Sequence, residues 1–387
     1  PKIYNLNITF YFFIFIFILI SSFTLLITNE KWNNNGILKN IFFILITIFF
    51  SWFYGIIVGL NEGNDPILVF RNYMFLSLSL PAYLIFSKMS LKGILSFSLK
   101  LPFLIAPISI LQLPFAIVGL PSLIMISKTF FDLEFSRNLF NYSYFYASYM
   151  FFSCLLFSIA FKYERNTFLK LLLKFNILKS KNSIIIKSYR FFKKYNNLSI
   201  FWFFWVTILS YFGNASILYL VFSILLYSFA KLKRYRIQFI SFLVFILPFT
   251  SLYIYNYFIN YFGLNRLMQF PILFEKMSIL GNGLGSEIAN KGEIYGTEIL
   301  ILGVVVQLGI FAIPFILLLL TFVMNLFILA WKSDGLSLLI ALSYGGYFST
   351  LFSNPTISYP WTYLFTINGV ILSEILKTKG INQIIDH

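Results

Sequence analysis

The chain has 387 residues, 59% of them hydrophobic and 11% charged, with a mean hydropathy of +0.84. A soluble domain carries roughly 25% charged residues, so the composition excludes an ordinary soluble enzyme and predicts an all-α, polytopic membrane protein. The formal net charge of +16 fits the Lys and Arg excess of cytoplasmic loops in such proteins and predicts no nucleic-acid partner.

A helix needs about 20 apolar residues to cross the hydrocarbon of a bilayer. Runs of that size occupy 8–28, 37–60, 67–87, 95–118 and 139–161. The first starts almost at residue 1 and lacks a small-residue cleavage pattern, so it reads as a span and not as a signal peptide. The basic segment 162–197 comes next. Its apolar patches (Leu169, Leu171–Leu173, Ile184–Ile186) alternate with cations, which suits an interfacial helix resting on anionic lipid. The stretch 198–230 is too long for one upright helix, and Gly213 and Asn214 divide it into two short spans. Further runs fill 237–258, 298–329, 335–352 and 359–376. The prediction is a single integral membrane domain over 1–387, a transmembrane helical bundle of about eleven spans. A large loop, 257–297, precedes the third-last span.

Orientation follows from where the cations fall. With the N-terminus outside and the C-terminus inside, the inner side receives Lys39, Lys88, the whole basic segment, Lys231, Lys233, Arg234, Arg236, Lys332 and Lys377. The outer side keeps Lys2, Arg71, Lys128, Arg137, Arg266, Lys276 and Lys291, and takes most of the acids, Glu62 and Asp65 among them.

Little acid–base chemistry is open to this chain. Its one cysteine, Cys154, cannot form an internal disulfide, no metal-type spacing exists, and its one histidine is His387. The sequence therefore predicts no metal and no cofactor, and leaves carboxylates, Tyr, Lys and Arg as reacting groups. Arg71, Arg137 and Arg266 stand at outer ends of spans, where arginine is costly to bury. A guanidinium fork matches phosphate, and three around one cavity suit a diphosphate. The alternative for each is a side chain that snorkels to the interface. Glu298 follows Thr297 at the start of the ninth span. Two readings fit it: a first-turn carboxylate complementing the helix dipole, or a general base at the membrane–water boundary.

Gly281-Asn282-Gly283-Leu284-Gly285 has no βαβ surroundings, so a dinucleotide loop is excluded. These glycines predict a tight turn, whose exposed N–H groups have the geometry to meet phosphate. Gln307 and Asn368 read as hydrogen-bonding residues between helices. Trp361 and Tyr363 read as an aromatic belt.

The stretch Arg266 to Pro314 resembles the signature of the O-antigen polymerase and ligase superfamily of membrane glycosyltransferases. The pattern is an arginine, an apolar-acidic helix, a G-x-G-x-G turn, a short polar segment, and a polar residue opening a span with a glycine about three turns later. In the ligases the opening position is His. Here Glu298 occupies it and Gly309 falls on the glycine, while Ile299 departs from the usual polar choice. Glu at this place favours a polymerase. Arg137 with Asn141 is similar to the superfamily's arginine-glycine-asparagine-proline segment, without its glycine and proline. The resemblance implies a metal-independent inverting glycosyltransferase in a bacterial plasma membrane with a periplasmic active site. It implies an undecaprenyl-diphosphate-linked donor and acceptor, with Glu298 acting on the acceptor and Arg266, Arg137 and Arg71 on the diphosphate. A chain-length regulator protein is the further partner it implies. The rival readings are a ligase acting on lipid A core and a lipid-linked glycan flippase.

Overall fold

The computed structural model describes residues 36–88, 224–238, 273–286, 300–332 and 360–386, with shorter stretches at 186–187, 241–242, 337–338, 340–342 and 344–345 and a few single positions elsewhere. The regular elements among the described residues are helical, with no strand. Two helical stretches, Lys39–Asn61 and Leu300–Lys332, are long and apolar enough to cross a membrane. The spans expected at 8–28, 95–118 and 139–161 lie outside the described residues, as does nearly all of 162–197.

Helix α1, Gly36–Asn61, forms on an apolar run without proline. Its Thr and Ser hydroxyls are satisfied within the helix. Thr47 Oγ1 donates to the Phe43 carbonyl at 2.9 Å, and Ser51 Oγ to the Thr47 carbonyl at 2.7 Å. Ile41, Leu45, Ile48, Ile56 and Gly59 are buried on one stripe, while Phe43, Phe50, Phe53 and Ile57 stay exposed on the other. Gly63, at φ +76°, turns the chain after the helix. Asp65 then caps α2, Pro66–Arg71, accepting from the Ile67 N–H at 2.8 Å, with Pro66 in the first turn.

The run expected to be one span at 67–87 is broken. After α2 the chain turns through Tyr73, at φ +51°, into a 3-10 segment, Met74–Leu78, and then α3, Ser79–Lys88. The apolar helical part, Met74–Ile85, is too short for a full span.

The run expected at 298–329 is also broken. It consists of α4, Leu300–Leu308, a 3-10 segment, Gly309–Ala312, and α5, Ile313–Lys332. Pro314 has no N–H to donate to the carbonyl four residues back, and its ring crowds that carbonyl. The α-helical ladder therefore gives way just before it, at Gly309, which takes φ +56°. The 20 residues of α5 still reach about 30 Å. The last helix, α6, Pro360–Asp386, starts on a proline and runs past the expected end at 376.

Helices α5 and α6 run parallel. Near their starts Phe75 meets both Phe315 (6.2 Å between ring centroids) and Tyr363 (5.0 Å). Further along, Asn325 donates to Glu374 Oε2 at 2.8 Å. Tyr344 lies between them, stacked on Phe365 and edge-on to Phe322. Gly369 leaves room for that ring, since a Cβ there would approach it closer than 3.0 Å. The Asn368 side chain donates to the Tyr344 hydroxyl at 3.1 Å, an inter-helix bond of the kind expected from sequence. Tyr363 departs from the aromatic-belt expectation. It is fully buried and its hydroxyl pairs with Ser79 Oγ at 2.7 Å, because a tyrosine facing the bundle must find an internal partner.

Cations gather at one end of the bundle, while Arg71 and Lys276 stand at the other end with Glu62 and Asp65. Lys332, Lys377 and Arg236 share one end: Lys332 Nζ donates to the Lys377 carbonyl and Arg236 to the Trp331 carbonyl. Glu62 and Asp65 lie at the end of α1 that meets residues 279–286.

Candidate functional site

Arg71, Gly281, Gly283 and Gly285 are described in the structure. Glu298, Arg266 and Arg137 lie outside the described residues. The site is therefore built from its frame, the turn that precedes Glu298 in the chain.

One helical turn begins the segment. Its buried Leu273 packs on Val306 of α4, with Met277 and Leu302 around the pair. The chain then leaves helical geometry and passes through three left-handed glycines, Gly281 (φ +78°), Gly283 (φ +73°) and Gly285 (φ +80°). Two constraints demand glycine at all three. The backbone conformation is one that side chains rarely adopt. Space is also absent: a Cβ would come closer than 3.0 Å to the Gln307–Leu308 backbone from Gly281, to Val58–Gly59 from Gly283, and to Val69 from Gly285. The reciprocal positions are glycines too. Gly309 faces the Ile279–Gly281 backbone, and Gly55 and Gly59 face Leu284. The turn is thus wedged between α1, α2 and the break after α4, main chain against main chain.

Hydrogen bonds follow from that approach. In an unbroken helix the Val306 carbonyl would accept from the Ile310 N–H. Here it accepts from the Asn282 N–H at 3.1 Å, and the Gln307 carbonyl accepts from the Gly283 N–H at 3.0 Å. The freed Ile310 N–H donates to the Ile279 carbonyl at 2.8 Å, and the Leu284 N–H reaches the Gly55 carbonyl at 2.9 Å. Break and turn therefore exchange the groups that each would otherwise leave unpaired, as a helix break in an apolar setting requires.

Side chains tie the assembly down. Asn64 Nδ2 donates to the carbonyls of Asn282 (3.3 Å) and Leu284 (3.0 Å). Asn282 Nδ2 donates to the Lys276 carbonyl at 2.7 Å. The Tyr54 hydroxyl donates to the Leu280 carbonyl at 3.1 Å, and its ring lies 3.9 Å, centroid to centroid, from that of Phe311.

This geometry decides one question left open by the sequence. The N–H groups of Gly281, Asn282, Gly283 and Leu284 all donate to protein carbonyls, so those four donors hold the scaffold and do not form a phosphate nest. Arg71 ends α2, two residues beyond the Val69 on which Gly285 rests, and is half-buried. Two buried polar atoms here have no hydrogen-bond partner: Gln307 Oε1, on a residue only 2% exposed, and Ser286 Oγ. Such atoms commonly mark a place that a water or ligand group completes.

No protein-family model matches the chain, and no curated protein or solved structure matches it. The turn, its seat and the break must speak for themselves. Sequence reasoning missed that seat. Gly55-x-x-x-Gly59 in an apolar run is a small-xxx-small pattern, which permits close backbone approach. That signal was present, but nothing in it names the loop as the partner. Asn64 carried no signal, because its role depends on where the turn lands.

Proposed function

We propose that this chain is an integral membrane glycosyltransferase that polymerises lipid-linked oligosaccharide repeat units on the outer face of a bacterial plasma membrane. The observation that carries this reading is the seating of the Gly281–Gly285 turn in the Gly309 break. Two parts of the resembling pattern, distant in sequence, act as one hydrogen-bonded unit and flank the segment that bears Glu298. The gathering of Lys332, Lys377 and Arg236 at the end of the bundle away from the turn supports placing the turn at the outer membrane surface.

In this mechanism the acceptor sugar hydroxyl attacks the anomeric carbon of the donor. Glu298 takes the hydroxyl proton as the new C–O bond forms. The bond between the anomeric carbon and the diphosphate breaks with inversion, and undecaprenyl diphosphate leaves. Arg266 and Arg137, with Arg71 beside the turn, neutralise the charge that develops on the diphosphate, a role otherwise suited to a metal ion.

A carrier is the second reading, favoured by the broken helix, since transporters build substrate sites at such breaks. Against it, the Val306 and Gln307 carbonyls and the Ile310 N–H are engaged by the turn and do not line an open site. The test is reconstitution of the purified protein with its organism's lipid-linked repeat unit, in chelator, read on a size-resolving gel. A ladder spaced by one repeat unit is expected, and Arg266→Ala should abolish it while the protein stays folded. Normal polymer lengths from that variant would overturn the assignment. Glycosylation of added lipid A core instead would make the protein a ligase.

A further inference from the structure

Just past the exposed Glu275 and Lys276, the segment that leads into the turn presents apolar side chains away from the bundle. Ile279 is 79% exposed, and Leu280, Ile310 and Phe311 are exposed beside it. Ile279 and Ile310 adjoin directly through their main-chain hydrogen bond. Leu280 and Phe311 are joined through Tyr54, which bonds one and stacks on the other. Together they form one patch that continues the exposed apolar faces of α1 (Phe50, Phe53, Ile57) and α5 (Ile313, Leu317, Leu320).

The level of this patch is set by helix geometry. From Lys332 back to Ile310 the chain rises about 33 Å at helical pitch, and from Lys39 to Gly55, which bonds Leu284, about 24 Å. A hydrocarbon core is about 30 Å thick. With the lysines at the inner surface, the turn lies at the outer edge of the hydrocarbon. A segment at that depth must satisfy its main chain internally, and this one does, through the exchange with the break and the two Asn64 bonds.

We infer that residues 277–280, with Ile310 and Phe311, form a membrane anchor whose side chains enter the acyl-chain boundary of the outer leaflet. This rests on the membrane-embedded reading of the chain given above. The occupant of the patch is bilayer lipid: its exposed apolar surface is continuous with the outward faces of both helices, and the exposed charges Glu275 and Lys276 precede Met277 and leave 277–280 uncharged. The anchor fixes the height of the turn. The segment that follows it in the chain, toward Glu298, therefore starts at headgroup level, where the diphosphate of a lipid-linked substrate resides.

The experiment is spin labelling in lipid bilayers of a full chain whose one cysteine, Cys154, is replaced by Ser. A single new cysteine is placed at Ile279 or, in a second variant, Leu280. Phe50→Cys serves as the lipid reference and Glu62→Cys as the aqueous one. Collision with oxygen, which concentrates in lipid, is compared with collision with a water-soluble nickel chelate. The anchor requires oxygen to exceed the chelate at Ile279 and Leu280. Chelate exceeding oxygen, or both collisions suppressed because protein or a second copy of the chain covers the patch, overturns it. If Phe50 is itself open to the chelate, the membrane reading fails with it. If only the turn positions are, the anchor alone fails.

Discussion

At the turn end of the bundle, main chain meets main chain. Glycine backbones and amide groups converge there, and a side chain on Gly59, Gly281, Gly283, Gly285 or Gly309 would have no space. At the lysine end, long side chains reach across. Arg236, only 7% exposed, donates through Nε to the Phe229 carbonyl (3.1 Å) and through Nη2 to those of Ala230 (3.3 Å) and Trp331 (2.9 Å). Its guanidinium also lies over the rings of Trp331 (4.6 Å) and Phe229 (5.3 Å). The first design fixes position, because backbone has no rotamers to adjust. The second tolerates displacement, because a long flexible side chain can follow its acceptors. A catalytic frame needs the first kind of joint, and a surface that only terminates helices is served by the second.

The comparison breaks most sharply at Gly283. A β-branched residue there meets a φ of +73° and the Gly59 backbone at once. Strain and overpacking together cost about 3 kcal/mol or more. Gly283→Val should lose its thermal transition in detergent or drop well below the parent, and no compensating change of rotamer relieves it. An unchanged melting temperature would show that the turn does not seat as described.

Arg236→Met comes next. It removes three hydrogen bonds from helix-terminal carbonyls but keeps apolar cover over Trp331, so the loss is about 2 kcal/mol. Arg236→Lys should recover little, since an ammonium lacks the planar fork and the stacking face. Melting curves of the two variants check this. Equal stability of Arg236→Lys and the parent would mean that charge alone, and not the fork, closes that end.

These two ends also differ in how far the sequence revealed them. The capped start of α2 was written in Asp65-Pro66, and the extent of α1 in an uninterrupted apolar run, because both are local consequences of residue type. The break after α4 was less legible. Gly309 and Pro314 are both visible, but apolar helices tolerate either one when neighbours supply the missing bonds, and here the neighbour lies some twenty-five residues upstream. The break at Tyr73 was illegible, since tyrosine gives no warning of a left-handed backbone. Of the candidate site, the glycine turn was recognisable as a turn. Its seat on Gly55 and Gly59, the Asn64 bridge and the occupation of its own N–H groups depend on tertiary contact alone. Arg236 counted in the sequence only as one more inner cation, whereas its burial makes it a structural clasp.

The smallest effect belongs to Lys377. Its Nζ lies 3.4 Å from Glu374 Oε2, one turn away, with the lysine side chain 35% exposed. Solvent screens such a pair, and its worth is a few tenths of a kcal/mol. Glu374 also keeps its bond from Asn325 when the lysine is gone. Lys377→Ala should therefore leave the melting temperature nearly unchanged, and adding salt should not separate it from the parent. A marked loss would mean that Glu374 is far more desolvated than its contacts imply. The lysine end would then be a buried ionic network, as sensitive to single substitutions as the glycine joint, and the contrast between the two ends would dissolve. A null result leaves Lys377 with the task its position already assigns it, adding positive charge to one end of the bundle, which acts on membrane orientation and not on the folded state.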